Sequence, residues 1–142
     1  MAITVAMNKI YKDGIRIKEI IFDWTTAAAA STATCMIGYE LYSAGLQKAS
    51  FISGKIFSLE TMPGLNGVAD RTLSSLPEPN WDVYLYDSYN CDLLSANGEN
   101  RASATAQIIA YTTPLFVDDE LQLSIMHASD VRSGRIALYV EE

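Results

Sequence analysis

A single histidine, His127, serves the whole 142-residue chain. That scarcity removes most histidine-based acid–base chemistry and most imidazole metal sites. Two cysteines, Cys35 and Cys91, are too few for a disulfide scaffold and lie too far apart in sequence for a metal-ligand pair. One bridge between them or two buried free thiols are both compatible with the sequence. Charge is scarce too, at 19% of residues against a usual value of about 25%. What charge there is sums to −7, which disfavours a phosphate backbone as partner. No run approaches the ~18 apolar residues of a membrane helix. No basic region precedes an apolar stretch at the N-terminus. The expectation is a protein made in the cytoplasm, with neither nucleic acid nor membrane as partner. Phosphate-binding loops of the Walker or G-x-G-x-x-G type are also missing.

What the chain has is apolar bulk, 49% of its residues, in a length that suits one domain. The period of that bulk is two. Trp81, Val83 and Leu85 alternate with Asp82, Tyr84 and Tyr86; Leu121, Leu123 and Ile125 alternate with Gln122, Ser124 and Met126; Ile136, Leu138 and Val140 close the chain in the same way. Such alternation marks strands with one buried face. Noisier strands are read at 15–24, 34–42, 51–60 and 104–113, with a short one at 91–96. Pro63-Gly64, Asn66-Gly67, Asn97-Gly98 and Ser133-Gly134 punctuate them, and Ser88-Tyr89-Asn90 reads as a hairpin loop. The alanine-rich stretch 25–34 admits a helix, but it lacks an apolar stripe and reads better as loop or weak strand. The predicted fold is all-β: a single β-sandwich or jelly roll of about eight strands over residues 15–142, preceded by an N-terminal arm over 1–14.

Charge is asymmetric along the chain. Residues 1–71 hold seven basic and six acidic side chains; residues 72–142 hold three basic and eleven acidic. That pattern predicts two electrostatically different faces or ends, unless folding mixes the halves.

The candidates for chemistry are few. His127-Ala128-Ser129-Asp130 places triad residue types side by side, but chain neighbours point in different directions, and no nucleophile elbow is present. Asp118-Asp119-Glu120 lacks the spacing of a calcium loop and reads as a solvated turn. Asp87 and Asp92 are expected to bond turn amides. Tyr84, Tyr86 and Tyr89 suit either a subunit interface or a carbohydrate platform, the interface being the commoner use of tyrosine. No catalytic residue, metal or cofactor is expected.

Residues 80–101 carry a resemblance. Asn80-Trp81-Asp82-Val83-Tyr84-Leu85-Tyr86-Asp87, then Cys91-Asp92-Leu93-Leu94, then Gly98-Glu99-Asn100-Arg101 resembles a family of small tailed-bacteriophage virion proteins. Leu121 to Ile125, Ala128 and Ser133-Gly134-Arg135-Ile136 fit as well, with looser matches at 15–25 and 53–56. The tight turn after Asp87 departs from that pattern, since Ser88-Tyr89-Asn90-Cys91 stands where an acidic residue and glycine are expected. The resemblance implies a turn motif of Asp87, Asp92, Asn100 and Arg101. It also implies a non-enzymatic virion component, a capsid decoration or cement protein whose partner is the major capsid protein. A head–tail or tail-tip adaptor and a carbohydrate-binding module are the alternatives. Scarce charge and abundant apolar surface suggest a homo-oligomer, a dimer or trimer. Within the arm, Ile3, Val5, Met7, Ile10 and Tyr11 are the residues expected to reach a neighbour, by adding a strand to a sheet edge.

Overall fold

The computed structural model describes residues 2–26, 32–37, 52–64, 76–103, 105–129 and 132–142. Among them are eight strands and no helix: β1 (Ala2–Lys12), β2 (Ile15–Thr25), β3 (Ala33–Ile37), β4 (Ile52–Pro63), β5 (Asp82–Tyr86), β6 (Gln107–Asp119), β7 (Leu121–Met126) and β8 (Ser133–Glu141). No helix of the described residues is long and apolar enough to cross a membrane. The strands form two antiparallel sheets. The larger has the order β1-β2-β8-β4-β6; the smaller has the order β3-β7-β5.

β1 and β2 form one long hairpin with eleven register pairs, from Ala2 opposite Thr25 to Lys12 opposite Ile15. Asp13 and Gly14 make its turn, at φ of 52° and 76°. Two left-handed residues in succession are the backbone of a tight hairpin turn whose twist matches that of the strands, and Asp-Gly is a preferred pair for it. Residues 2–12, expected as an arm ahead of the sheet, are therefore the sheet's edge strand.

Each core strand buries alternate residues. Ile20, Phe22 and Trp24 of β2 are fully buried, as are Val83 and Leu85 of β5 and Leu121, Leu123 and Ile125 of β7. Ile136, Leu138 and Val140 of β8 and Ile56 and Leu59 of β4 join them in one cluster that takes side chains from both sheets. At its heart Trp24 and Trp81 meet with ring centroids 5.2 Å apart and planes tilted by 47°, an arrangement aromatic pairs favour. Across β2 and β8, Arg135 grips Asp23 through Nε (2.7 Å) and Nη2 (2.8 Å), a two-pronged bond on the face away from that cluster. The carboxylate raises the Arg135 pKa above its ordinary value through that hydrogen bond.

Three other expectations change. Residues 91–96 are a run of turns and not a strand; only Asp92 bridges to Tyr86. β6 continues through Pro114 to Asp119, beyond the strand expected over 104–113. Between Ile56–Leu115 and Ser58–Ala110 the register jumps, so Pro114 falls in an irregularity of an edge strand, the setting in which a sheet tolerates proline. Finally, the two halves of the chain are interleaved: β8 and β6, from the acidic half, alternate in the large sheet with β2 and β4 from the near-neutral half. The halves therefore mix within that sheet, although its two edges, β1 and β6, come from different halves. Of the loop expected from Pro63-Gly64 to Pro79, residues 65–75 lie outside the described residues, as do 38–42 of the strand expected at 34–42 and residues 27–31 of the alanine-rich stretch.

Candidate functional site

The residues that carried the resemblance fold into one tied unit at the edge of the smaller sheet. Its frame is β5. Trp81, just before it, pairs with Arg101: the Arg101 amide donates to the Trp81 carbonyl at 2.7 Å, and the Asn80 amide donates to the Arg101 carbonyl at 3.1 Å. The Trp81 indole N–H donates to the Ala102 carbonyl at 3.0 Å. This seals the far end of a 20-residue excursion onto its beginning. Gly98 passes so close to β5 that a Cβ there would fall 2.0 Å from the Val83 carbonyl oxygen. Only glycine allows that approach, and it lets the Val83 amide donate to the Gly98 carbonyl at 2.9 Å.

Three aspartates do the remaining tying. Asp87 Oδ1 accepts from the amides of Tyr89 and Cys91, both at 2.9 Å. Asp92 Oδ1 accepts from Leu85 (3.2 Å) and Leu94 (3.1 Å), and its Oδ2 accepts from Ala96 (2.9 Å). Asp82, which is buried, accepts from the Asn100 amide at 2.9 Å. These short carboxylates replace backbone partners, which is why the segment turns instead of pairing as a strand. Asn90, Ser95, Ala96 and Asn100 accordingly sit at positive φ. Arg101 is buried; its Nη1 donates to the Asn97 carbonyl and its Nε to Gln107 Oε1, both at 3.2 Å. Burial alone draws its pKa below the ordinary arginine value. The four residues of the turn motif are thus all structural fasteners, and the departure at Ser88 to Cys91 is absorbed by Asp87.

One further pair has no local signal in the sequence. His127 Nδ1 lies 2.6 Å from Asp82 Oδ2, across 45 residues. An aspartate holding an imidazole by Nδ1 is two-thirds of a hydrolytic triad. No nucleophile's hydrogen bond to His127 is recorded among the described residues, and the ring is largely exposed. Two residues on, the Ser129 carbonyl accepts from the Thr26 hydroxyl at 2.7 Å. Asp130 lies outside the described residues. The pair fastens the end of β7 to the start of β5. Nor do the described residues contain a group of three or more His, Cys, Asp or Glu placed to hold a metal ion.

The tyrosines divide. Tyr84 and Tyr86 stack on one another, centroids 5.7 Å apart and planes 13° from parallel, so each has one face covered. The Tyr84 hydroxyl donates to Glu99 at 3.2 Å. Burial, followed by the charge of Asp82, pushes the Tyr84 pKa up to about 12. Tyr89 stands 84% exposed at the loop tip.

On the opposite edge, Ile3, Val5 and Met7 of β1 are in register with Trp24, Phe22 and Ile20. They belong to the sheet by position. Ile10 and Tyr11 are exposed near the hairpin turn, and Arg16 lies over the Tyr11 ring at 5.7 Å. Comparisons with protein-family models, curated proteins and solved structures return no match to the chain.

Proposed function

We propose that this chain is a non-enzymatic structural protein of a tailed-bacteriophage virion, a decoration or cement protein on the capsid surface. Its two sheets enclose their shared core as a β-sandwich of jelly-roll type, and its partner is the major capsid protein. The observation that carries the reading is the segment Asn80–Arg101, whose sequence resembles such virion proteins. There the carboxylates of Asp87 and Asp92 are spent on backbone amides, Asp82 is divided between the Asn100 amide and His127, and Arg101 is spent on Asn97 and Gln107. A segment whose charged groups mostly hold its own turns in place is suited to presenting a fixed surface.

Cementing is mass action. A protein that binds the assembled lattice and not its free subunits stabilises each site by RT ln(1 + [L]/Kd). Attachment through a homo-oligomer adds effective concentration to that gain.

The test is occupancy. Particles lacking the protein are incubated with it, and the bound copies are located and counted by electron cryo-microscopy. Density repeated across the shell lattice, with raised resistance of the particles to heat, is the expected result. Density confined to one vertex or to the tail would replace this reading with an adaptor. Absence of binding, alongside a positive glycan-array signal, would replace it with a carbohydrate-binding module.

A further inference from the structure

Six large apolar side chains are exposed among the described residues: Ile10, Tyr11, Ile15, Tyr89, Ile108 and Phe116. All but Tyr89 lie on the two opposite edges of the five-stranded sheet, the β1–β2 hairpin and β6. Unpaired sheet edges that carry apolar side chains invite another strand. We propose that these two edges bind each other: the hairpin tip of one copy docks against β6 of the next copy of the same chain.

The register supports this. Ile10 pairs with Ile17, Ile17 with Glu141, Glu141 with Lys55, and Lys55 with Phe116. Ile10 and Phe116 therefore end the same cross-strand row and share a face of the sheet. Because every neighbouring pair is antiparallel and the order is β1-β2-β8-β4-β6, the two edge strands run in the same direction. A second copy placed beside the first with its strands in the same sense brings Ile10 level with Phe116 of its neighbour. One residue further along, and on the opposite face, Tyr11 comes level with Val117.

Beside Val117 there is a place for it. Asp87, Leu93, Leu115, Phe116, Val117 and Asp118 line a cleft of about 290 Å³ at the β6 edge, a size that accepts an aromatic side chain. Leu93, Leu115, Phe116 and Val117 give it apolar wall, and Asp87 and Asp118 make it acidic. The hairpin tip is the complement, on balance basic: Tyr11, 67% exposed, has the Arg16 guanidinium on its ring, and exposed Lys9 and Arg16 outnumber the exposed Asp13 of the turn. Two hairpin tips facing each other would oppose like charges, and so would two β6 ends. Only the unlike edges attract, which selects this pairing over the two symmetric ones. Pro114 has no N–H to offer, so the contact is carried by the stretch beyond it, Leu115–Asp118, where the cleft lies.

A contact between two different surfaces, repeated by rotation, closes a ring or continues as a filament, and a two-fold dimer does not use it. The inference refines the homo-oligomer of the virion reading towards a trimer or larger ring. It concerns the purified chain alone, so it can fail without touching capsid binding.

The experiment is sedimentation velocity on the purified chain, with Cys91→Ser as background, at low and high salt. Expected are species larger than the monomer at high micromolar concentration, dissociating as salt rises. Tyr11→Ala should weaken assembly at least tenfold. Arg16→Glu and Asp118→Lys should each abolish it alone, and their mixture should restore it. Circular dichroism and melting of each variant identify any that fail to fold. Independently of those variants, Ile10→Cys mixed with Phe116→Cys should form a disulfide-linked pair, while neither forms one alone. A monomer at every concentration overturns the proposal. So does cross-linking of either cysteine variant with itself in place of the mixed pair.

Discussion

Asp92 offers the sharpest test of how residues 80–101 hold their shape. Replacing it with alanine removes three amide-to-carboxylate bonds, from Leu85, Leu94 and Ala96. Hydrogen bonds to a charged group contribute about 1.5–3 kcal/mol each, but not all of that is lost where water can substitute. Ala96 is exposed, and its amide regains a water partner on truncation. Leu85 is fully buried, so its amide is the one left without a partner. Stranding that amide costs about 1–3 kcal/mol, and the loss of the other two bonds raises the expected total to about 2–4 kcal/mol. Asp92→Asn keeps an acceptor for Leu85 and Leu94 and disrupts only the Ala96 bond, so it should cost about 1 kcal/mol. Urea unfolding measures both. With a slope of about 2 kcal/mol per molar, the alanine variant's midpoint should fall by roughly 1–2 M at unchanged slope. A loss below about 1 kcal/mol for alanine would refute the reasoning. An asparagine variant as unstable as the alanine one would put the effect on the charge and not on the bonds.

Gly134→Ala should destabilise by about 1–3 kcal/mol through overpacking, because its Cβ would sit 2.6 Å from Trp24 Cζ2; thermal melting and tryptophan emission both report it, and no change in either would count against the packing. Tyr111 donates its hydroxyl to the Leu93 carbonyl at 2.5 Å, and burial pushes its pKa from 10 to about 12, as it does for Tyr139. The folded state thus holds these protons more tightly than the unfolded one, so their contribution is complete below pH 10 and is lost as pH rises through about 12. Ultraviolet titration should show late-ionising tyrosines and alkaline unfolding in that window, and Tyr111→Phe should lose about 1 kcal/mol at neutral pH. For Asp23 and Arg135, a double-mutant cycle on the two alanine variants should give a coupling of about 1 kcal/mol, at the upper end for partly exposed pairs because both prongs of the guanidinium are engaged; zero coupling would sink that account.

The parts of the fold legible in the sequence are those with one apolar and one polar face. β5, β7 and β8 follow their alternation, with Val83, Leu85, Leu123, Ile125, Ile136 and Leu138 all inside. β1 was legible in principle: Ile3, Val5 and Met7 alternate with Thr4, Ala6 and Asn8, and Asp13-Gly14 is a hairpin turn signature. Reading that signature as the end of an arm hid the partner strand. Residues 91–96 show the opposite error. Leu93 and Leu94 look like strand residues, yet Asp92 captures the local amides and converts the run to turns. Nothing local announced the Asp82–His127 pair or the closure of Arg101 onto Trp81. Both join points far apart in sequence, and their geometry exists only after the sheets form.

The apolar excess of the chain acquires a location once the sheet order is known. Among the described residues the five-stranded sheet has no further strand beyond β1 or β6, and proteins commonly blunt such edges with charge or proline. Here each edge is blunted with a different sign: Lys9 and Arg16 on the hairpin, Asp118 and Pro114 on β6. Blunting of one common sign would exclude every edge-to-edge contact. Opposite signs exclude only like edges and leave the unlike pair attractive, with Ile10, Tyr11 and Phe116 still exposed to complete it. Under the proposed edge-to-edge contact, the sparse charge of this sequence selects one pairing and does not prevent contact altogether.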